Sequence, residues 1–225
     1  MDFMDTMAKV MMIYVPFLFA LCFHEYAHGW VAKKMGDPTA EMLGRVSMNP
    51  IVHIDLFGTV IFPLMAVLGP SPLFFGWAKP VPVSVNNLKD PKKDMFWIAL
   101  AGPASNFFLA TVGFIILGLR NYMGLDQEMN RLILEVVQTF IFFNLFLAVF
   151  NLIPVHPLDG GKIIARFLPL RANMWLEDNA GTISMALFGV IMISAFTGGS
   201  LFIITAPVRF LYNVLASLTG YIFML

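Results

Sequence analysis

The 225-residue sequence is poor in charge: only 12% of its residues are Asp, Glu, Lys or Arg, whereas 59% are hydrophobic. The 14 basic residues balance the 14 acidic ones and form no basic stripe of the kind that follows a nucleic-acid backbone. A nucleic-acid-binding protein is therefore excluded. Long apolar runs with few charges instead predict an all-α polytopic membrane protein.

Cysteine is almost absent as well. The single cysteine, Cys22, excludes an internal disulfide and any CxxC metal or redox motif, and is best explained as a small apolar helix residue. The N-terminal residues MDFMDTMAKV are acidic where a signal peptide would be basic, and no small-residue cleavage site follows the first apolar run. We therefore expect this first run to be retained as a membrane helix.

The apolar runs predict about five spanning helices in one domain, residues 1–225, with a core at about 8–172 and C-terminal helices at about 180–225. Residues 56–69 number only 14 and contain Pro63, which predicts a re-entrant segment. Residues 70–85 alternate between prolines and predict short membrane-associated β-strands. The five spans are predicted at about residues 8–34, 95–119, 132–153, 182–196 and 201–225, the last two separated at Thr197-Gly198-Gly199.

Ionisable residues interrupt the first apolar run at FHEYAHGW, residues 23–30. In a helix, His24 and His28 share one face about 6 Å apart, with Glu25 beside them. This HExxH spacing is typical of two zinc-ligating histidines and a glutamate that acts as general base. A chance match is the weaker explanation, because each ionisable group at membrane depth costs roughly 2.5–3.5 kcal/mol. The sequence therefore predicts a metal site.

A catalytic zinc site usually has three protein ligands, so a third is expected elsewhere. The strongest candidate lies in FNLIPVHPLDGGK, residues 150–162, where Asp159 follows a predicted spanning helix. Prolines and the Gly160-Gly161 pair allow the backbone to turn there and direct a carboxylate inward. Taken alone, a surface Asp-Gly turn is the better explanation of this pattern.

The distribution of Lys and Arg favours the ligand interpretation. Asp159 reaches the side of the membrane that carries HExxH only if the helix before it runs parallel to the first helix. Only one helix then crosses the membrane between these two, so that residues 56–69 are re-entrant. Ten basic residues then lie on the site's side and three opposite, or four with Arg209, as the positive-inside rule requires of a cytoplasmic side. The ten are Lys33, Lys34, Arg45, Lys79, Lys89, Lys92, Lys93, Lys162, Arg166 and Arg171, against Lys9, Arg120 and Arg131.

HEYAH in a first membrane helix and NLIPVHPLDGG after a later one together resemble the site-2 protease family of intramembrane zinc metalloproteases. GDPTAEMLGRVSMNPIVHIDLFGT, FGWAKPVPV and ALAGPASN are similar to blocks of its compact bacterial and archaeal members. The resemblance implies a three-helix core, one Zn²⁺ per chain held by His24, His28 and Asp159, and Glu25 as the base. It also implies cleavage of single-span membrane proteins near the cytoplasmic face of a prokaryotic plasma membrane.

Four other polar positions and a further histidine are candidates for supporting roles. Asn106, in AGPASN, matches a family asparagine associated with substrate or oxyanion binding. His53 either caps the metal or fixes its loop, and His156 either supports Asp159 or faces water. Asn144 and Asn151, seven residues apart on one helix face, either line the substrate path or join helices. The sequence carries no PDZ or CBS module, so gating by such a domain is not expected.

Three functional hypotheses remain. A protease needs an extended substrate, and FGWAKPVPV is expected to offer it a strand edge. A membrane metal transporter or sensor is the alternative, but outside HExxH and Asp159 the helices provide only Glu135 as an acidic candidate for an ion path. An inactive scaffold is disfavoured because all four catalytic-type residues are present.

Overall fold

The computed structural model describes residues 3–68, 76–120, 122–197 and 202–224. The described chain is mostly helical, with 3-10 turns at Pro50–His53 and Val85–Asn87 and a π-helical segment at Leu56–Ile61. The α-helices are α1 (Phe3–Met35), α2 (Thr39–Met42), α3 (Phe62–Leu68), α4 (Pro91–Arg120), α5 (Gln127–Asn151), α6 (Asp159–Ala165), α7 (Leu170–Asp178), α8 (Ala180–Thr197) and α9 (Phe202–Met224).

Three helices, α1, α4 and α5, are long and apolar enough to cross a membrane. A fourth span results if α7 and α8, which meet at 63°, are counted together. Within the described residues the prediction of about five spans is therefore not confirmed, because neither α8 nor α9 is among the helices that qualify by themselves. The predicted break before the last helix includes Gly198 and Gly199, which lie outside the described residues.

The apolar helical segment Leu56–Leu68 is too short to qualify as a span. Its first part is π-helical, and the side chain of Asp55 caps it by accepting hydrogen bonds from the N–H groups of Phe57 and Gly58, at 3.1 and 2.8 Å. Its length agrees with the expected re-entrant segment, which stays a prediction because it depends on the position of the bilayer.

The predicted β-strands are not found in the part of the chain that the structure describes, which includes residues 76–85 but not 70–75. The N–H of Trp77 donates to the carbonyl of Gly58 at 3.0 Å, and the N–H of Lys79 to the carbonyl of His53 at 2.9 Å. Pro80 and Pro82 have no N–H to donate. The segment is thus extended but held by the preceding loop and not by a partner strand, so the strand prediction is wrong here.

Helices α1, α4 and α5 pack against one another. Ala20 and Ala110 are fully buried, and a Cβ on Gly113 would lie only 2.6 Å from Ile141. Such small residues allow membrane helices to approach closely. The C-terminal part of α1 lies against the N-terminal part of α4, so α4 runs antiparallel to α1. Helix α5 then returns in the direction of α1 and leads to α6 at the same end of the bundle.

Asp37, just beyond α1, joins two loops at that end. Its fully buried carboxylate accepts hydrogen bonds from the N–H of Ser84 at 2.7 Å, the amide of Asn87 at 2.8 Å, and the N–H and hydroxyl of Thr39. Burial by itself would raise the pKa of Asp37, but these hydrogen bonds outweigh burial and lower the pKa. The carboxylate therefore holds residues 84–87 against the end of α1.

We expect Asp37→Asn to lower the thermal unfolding temperature at pH 7 by several degrees, because charged hydrogen bonds contribute about 1.5–3 kcal/mol each. Since folding depresses this pKa, the stabilisation is present above about pH 4 and is lost as the pH falls further. The difference in thermal unfolding temperature between wild type and variant, measured on detergent-purified protein, should therefore become smaller as the pH falls below about 4. Asp126→Asn, an exposed cap with one hydrogen bond, is the control. A pH-independent gap would contradict the assignment.

Candidate metal centre

Three buried side chains from two distant parts of the chain converge at one point. The Nε2 atoms of His24 and His28 are 3.0 Å apart and lie 3.2 and 3.1 Å from Oδ2 of Asp159. Bonds of 2.0–2.1 Å in a tetrahedral zinc site place neighbouring ligand atoms about 3.3 Å apart. The three atoms therefore match one face of a zinc coordination sphere.

The hydrogen bonds at the Nδ1 atoms of the two histidines are also those expected of metal ligands. Nδ1 of His24 lies 2.6 Å from Oδ1 of Asn106, and Nδ1 of His28 lies 2.7 Å from the carbonyl oxygen of Ile98. Because both partners are acceptors, both Nδ1 atoms carry the proton and both Nε2 atoms present lone pairs. These lone pairs face Oδ2 of Asp159, which is buried without a hydrogen-bond partner in the described structure. Facing lone pairs repel one another unless a cation lies between them.

Glycines place the aspartate. A Cβ on Gly160 would lie 2.2 Å from the carbonyl oxygen of Ile153, and one on Gly161 would lie 2.9 Å from the backbone nitrogen of His156. Any other residue at these positions would therefore push the start of α6 away from the loop that follows α5. The Gly-Gly pair thus allows Asp159, the first residue of α6, to reach the histidines.

Glu25 lies beside the three residues without being one of them. Its buried carboxylate accepts a hydrogen bond from the N–H of Val81 at 2.8 Å. Glu25, the two histidines and Asp159 line a cavity of about 620 Å³ whose remaining walls are mostly apolar. A carboxylate fixed in this way is able to accept a proton next to a metal without occupying a ligand position.

Asn106 lies behind His24, fully buried. Its amide group donates to the carbonyl of Ala20 at 3.0 Å and to Oδ1 of Asn144 at 2.8 Å, while its oxygen faces His24. Both N–H bonds are therefore in use, which leaves none for the oxyanion of a substrate. The geometry gives Asn106 a part in orienting a histidine, a different role from the one the resemblance implied. Asn144 joins the helices of this cluster.

The other predicted residues are dispersed. His53 is buried in its 3-10 turn, where Nε2 bonds to the carbonyl of Ser47 at 2.8 Å, and it is not among the three converging residues. His156 is half-buried in the loop before α6 and is not among them either. Asn151 lines the cavity, with its amide bonded to the carbonyl of Leu147 at 3.0 Å. Of these three, Asn151 alone lines the cavity.

Two residues that support the site were not predicted from the sequence. Gly102 packs against the histidines, and a Cβ there would lie 2.4 Å from Nε2 of His28. The sequence indicates this position, since Gly102 and Asn106 are one helical turn apart in AGPASN and therefore share a helix face. The buried guanidinium of Arg45 donates to the carbonyls of Lys79 and Pro80 at 2.6 and 3.3 Å. No local pattern shows that contact, because it joins separate loops.

Comparison with known proteins agrees with this geometry. The model of peptidase family M50 matches residues 12–125 and 121–195. The chain is 36% identical over 186 residues to the "Putative zinc metalloprotease YwhC" of Bacillus subtilis (strain 168), covering 81% of each chain. It is 24% identical over 189 residues to the zinc metalloprotease MJ0392 of Methanocaldococcus jannaschii, covering 81% of this chain and 44% of that relative.

No solved structure matches the chain. The match to the family model extends over most of the sequence and includes HEYAH and the segment around Asp159. The similarity to YwhC extends over four-fifths of both proteins, and this degree of identity over that length indicates common ancestry. The chain therefore belongs to peptidase family M50, the family of the site-2 proteases.

Proposed function

We propose that this protein is a zinc-dependent endopeptidase that hydrolyses peptide bonds in or near the transmembrane segments of single-span membrane proteins. One observation carries the proposal: three lone-pair atoms, of His24, His28 and Asp159, converge to within 3.2 Å in a buried position of a membrane helix bundle. Such an arrangement is costly without a cation and fits zinc well. His24, His28 and Asp159 would hold one ion, and family membership supports peptide hydrolysis as its use.

Zinc, when bound, supplies a Lewis acid that activates water near neutral pH and polarises a carbonyl group. Glu25 acts as general base and then carries the proton from the attacking water to the leaving nitrogen. The hydrogen bond from Val81 engages Oε2 and so restricts the carboxylate to one orientation. Apolar walls around these groups keep bulk water away and strengthen the electrostatic interactions inside the cavity.

The substrate must be extended at the site, because a helix hides its carbonyl groups. We place the extended substrate beside segment 76–84. Ala78, Pro80, Val81 and Val83 line the cavity next to Glu25, which supports this segment as one wall of the substrate groove. The guanidinium of Arg45 donates to this wall, and the carbonyl of His53 and the carboxylate of Asp37 accept hydrogen bonds from it, which holds the wall in place. Asn151 also lines the cavity and is proposed to contact the peptide.

The site is proposed to face the cytoplasm of a prokaryotic cell, in a multi-pass protein of the plasma membrane that carries out regulated intramembrane proteolysis. The ten basic residues counted on this side of the chain support that orientation through the positive-inside rule. The parallel course of α1 and α5 is consistent with that count, since it brings both motifs to the same end of the bundle.

Metal content and cleavage, measured together, test the proposal. The detergent-purified wild type should contain about one zinc per chain and cleave single-span model substrates in a chelator-sensitive manner. Asp159→Ala should lose the zinc and the activity, because two neutral histidines remain without the charged ligand. Asp126→Ala, an exposed aspartate outside the site, should retain both. Zinc binding without cleavage of any substrate would favour a metal transporter or sensor instead.

A further inference from the structure

We propose that Asn144 is a positioning residue that selects the metal-binding tautomer of His24 by locking the amide group of Asn106. This inference rests on the proposed role of His24 as a metal ligand. It concerns a row of three side chains from three helices, α1, α4 and α5. Asn106 and Asn144 are both fully buried, and His24 is 4% exposed.

The hydrogen bond of Asn144 to Phe140 determines which atom donates and which accepts in each further hydrogen bond of this row. The amide N–H of Asn144 donates to the carbonyl of Phe140 at 2.8 Å, which turns Oδ1 of Asn144 toward Asn106. That oxygen and the carbonyl of Ala20 are acceptors, so they take the two N–H bonds of Asn106. Oδ1 of Asn106 is left facing His24 and accepts from Nδ1. Consequently Nδ1 holds the proton and Nε2 is free to bind a metal.

A rotated amide would reverse this outcome. If Asn106 turned by 180°, its N–H bonds would face Nδ1 of His24, and the imidazole proton would move to Nε2. An Nε2–H group cannot bind a metal. The rotation would also bring the oxygen of Asn106 against the oxygens of Ala20 and Asn144. Asn144 therefore makes the unproductive tautomer costly, although it touches no ligand atom and is not among the three converging residues.

The affinity for Zn²⁺, measured by competition with a chromogenic chelator in detergent, tests the inference. Asn144→Leu should weaken zinc binding about tenfold or more, as expected for partners outside the ligand shell. Asn179→Leu is the control: Asn179 also donates to the carbonyl four residues earlier, at 2.7 Å, but it follows α7 and is not among the residues that line the cavity. It should leave the zinc affinity unchanged. Equal affinities of Asn144→Leu and wild type would overturn the inference.

A second pair of variants separates positioning from simple packing. In Asn106→Asp both side-chain oxygens are acceptors, so rotation can no longer present a donor to His24. Adding Asn144→Leu to Asn106→Asp should therefore cause no further loss of zinc affinity, whereas a packing defect would weaken binding equally in both backgrounds and overturn the inference.

The wild-type chain provides a test that does not depend on the folding of variants. After metal removal, ¹⁵N spectra of labelled histidine should show His24 protonated on Nδ1, and protonation on Nε2 would contradict the inference. His24→Ala distinguishes the two proposals. If it retains zinc, the proposed ligand set fails, and the inference fails with it. If it loses zinc while Asn144→Leu binds normally, the inference alone is overturned.

Discussion

Replacing Glu25 with Gln should reduce cleavage of a single-span substrate by about 10²- to 10⁴-fold while zinc content stays at the wild-type level. The amide has nearly the same shape as the carboxylate, and its oxygen can still accept the hydrogen bond from Val81. It cannot take a proton from water at neutral pH. Zinc should remain because Glu25 is not one of the three converging residues.

Two measurements on the same preparation decide this prediction: zinc per chain by mass spectrometry and initial cleavage rates in detergent or proteoliposomes. Glu135→Gln is a suitable control, since Glu135 lies on α5 far from the cavity and pairs with Arg131 at 2.8 Å. That variant should cleave at the wild-type rate. Full cleavage activity of Glu25→Gln would mean that a group other than Glu25 acts as the base, and loss of zinc would mean that Glu25 helps to hold the metal.

Gly102→Ala should lose zinc binding, although alanine is the better helix former by about 1 kcal/mol. The added methyl group would lie 2.4 Å from Nε2 of His28 and 2.6 Å from Cε1 of His24. Neither ring has room to move, because their Nδ1 atoms are held by Ile98 and Asn106. We expect at least a tenfold fall in zinc affinity, comparable to the effect of disturbing the supports of a ligand.

The matched control for this substitution is Gly189→Ala in α8, where a Cβ would meet nothing within 4 Å. It should retain zinc and activity. Circular dichroism and gel filtration in detergent would establish that Gly102→Ala is folded, so that lost zinc reports on the site. Wild-type zinc affinity in Gly102→Ala would show that the histidines are free to shift, contrary to the close packing against α4.

Local patterns predicted those parts of the protein that depend on residues close in sequence. Hydropathy over about 20 residues predicted α1, α4 and α5, because a spanning helix satisfies its own backbone within one segment. The i, i+4 spacing of His24 and His28 predicted their shared face in the same way. Asp159 as a ligand required that α1 and α5 run parallel, as they do in the structure, and the count of Lys and Arg favoured that arrangement.

Patterns of the same kind failed where proline alternation suggested strands. A strand exists only with a partner, and the N–H groups of Trp77, Lys79 and Val81 bond instead to Gly58, His53 and Glu25. The predicted number of spans is not confirmed either, since three helices of the described chain qualify as spans, or four if α7 and α8 are counted together.

Composition and helical spacing were thus enough to identify a membrane protein with a zinc-type motif, because hydrophobicity and periodicity act over a few turns of chain. The supports of that motif depend on packing between distant segments: Asn106 lies 82 residues from His24, and Val81 lies 56 residues from Glu25. These contacts exist only after α1, α4 and α5 have packed and the loops have closed around them. The fold therefore orients each histidine and the general base, since hydrogen-bond direction and close approach are properties of the assembled bundle.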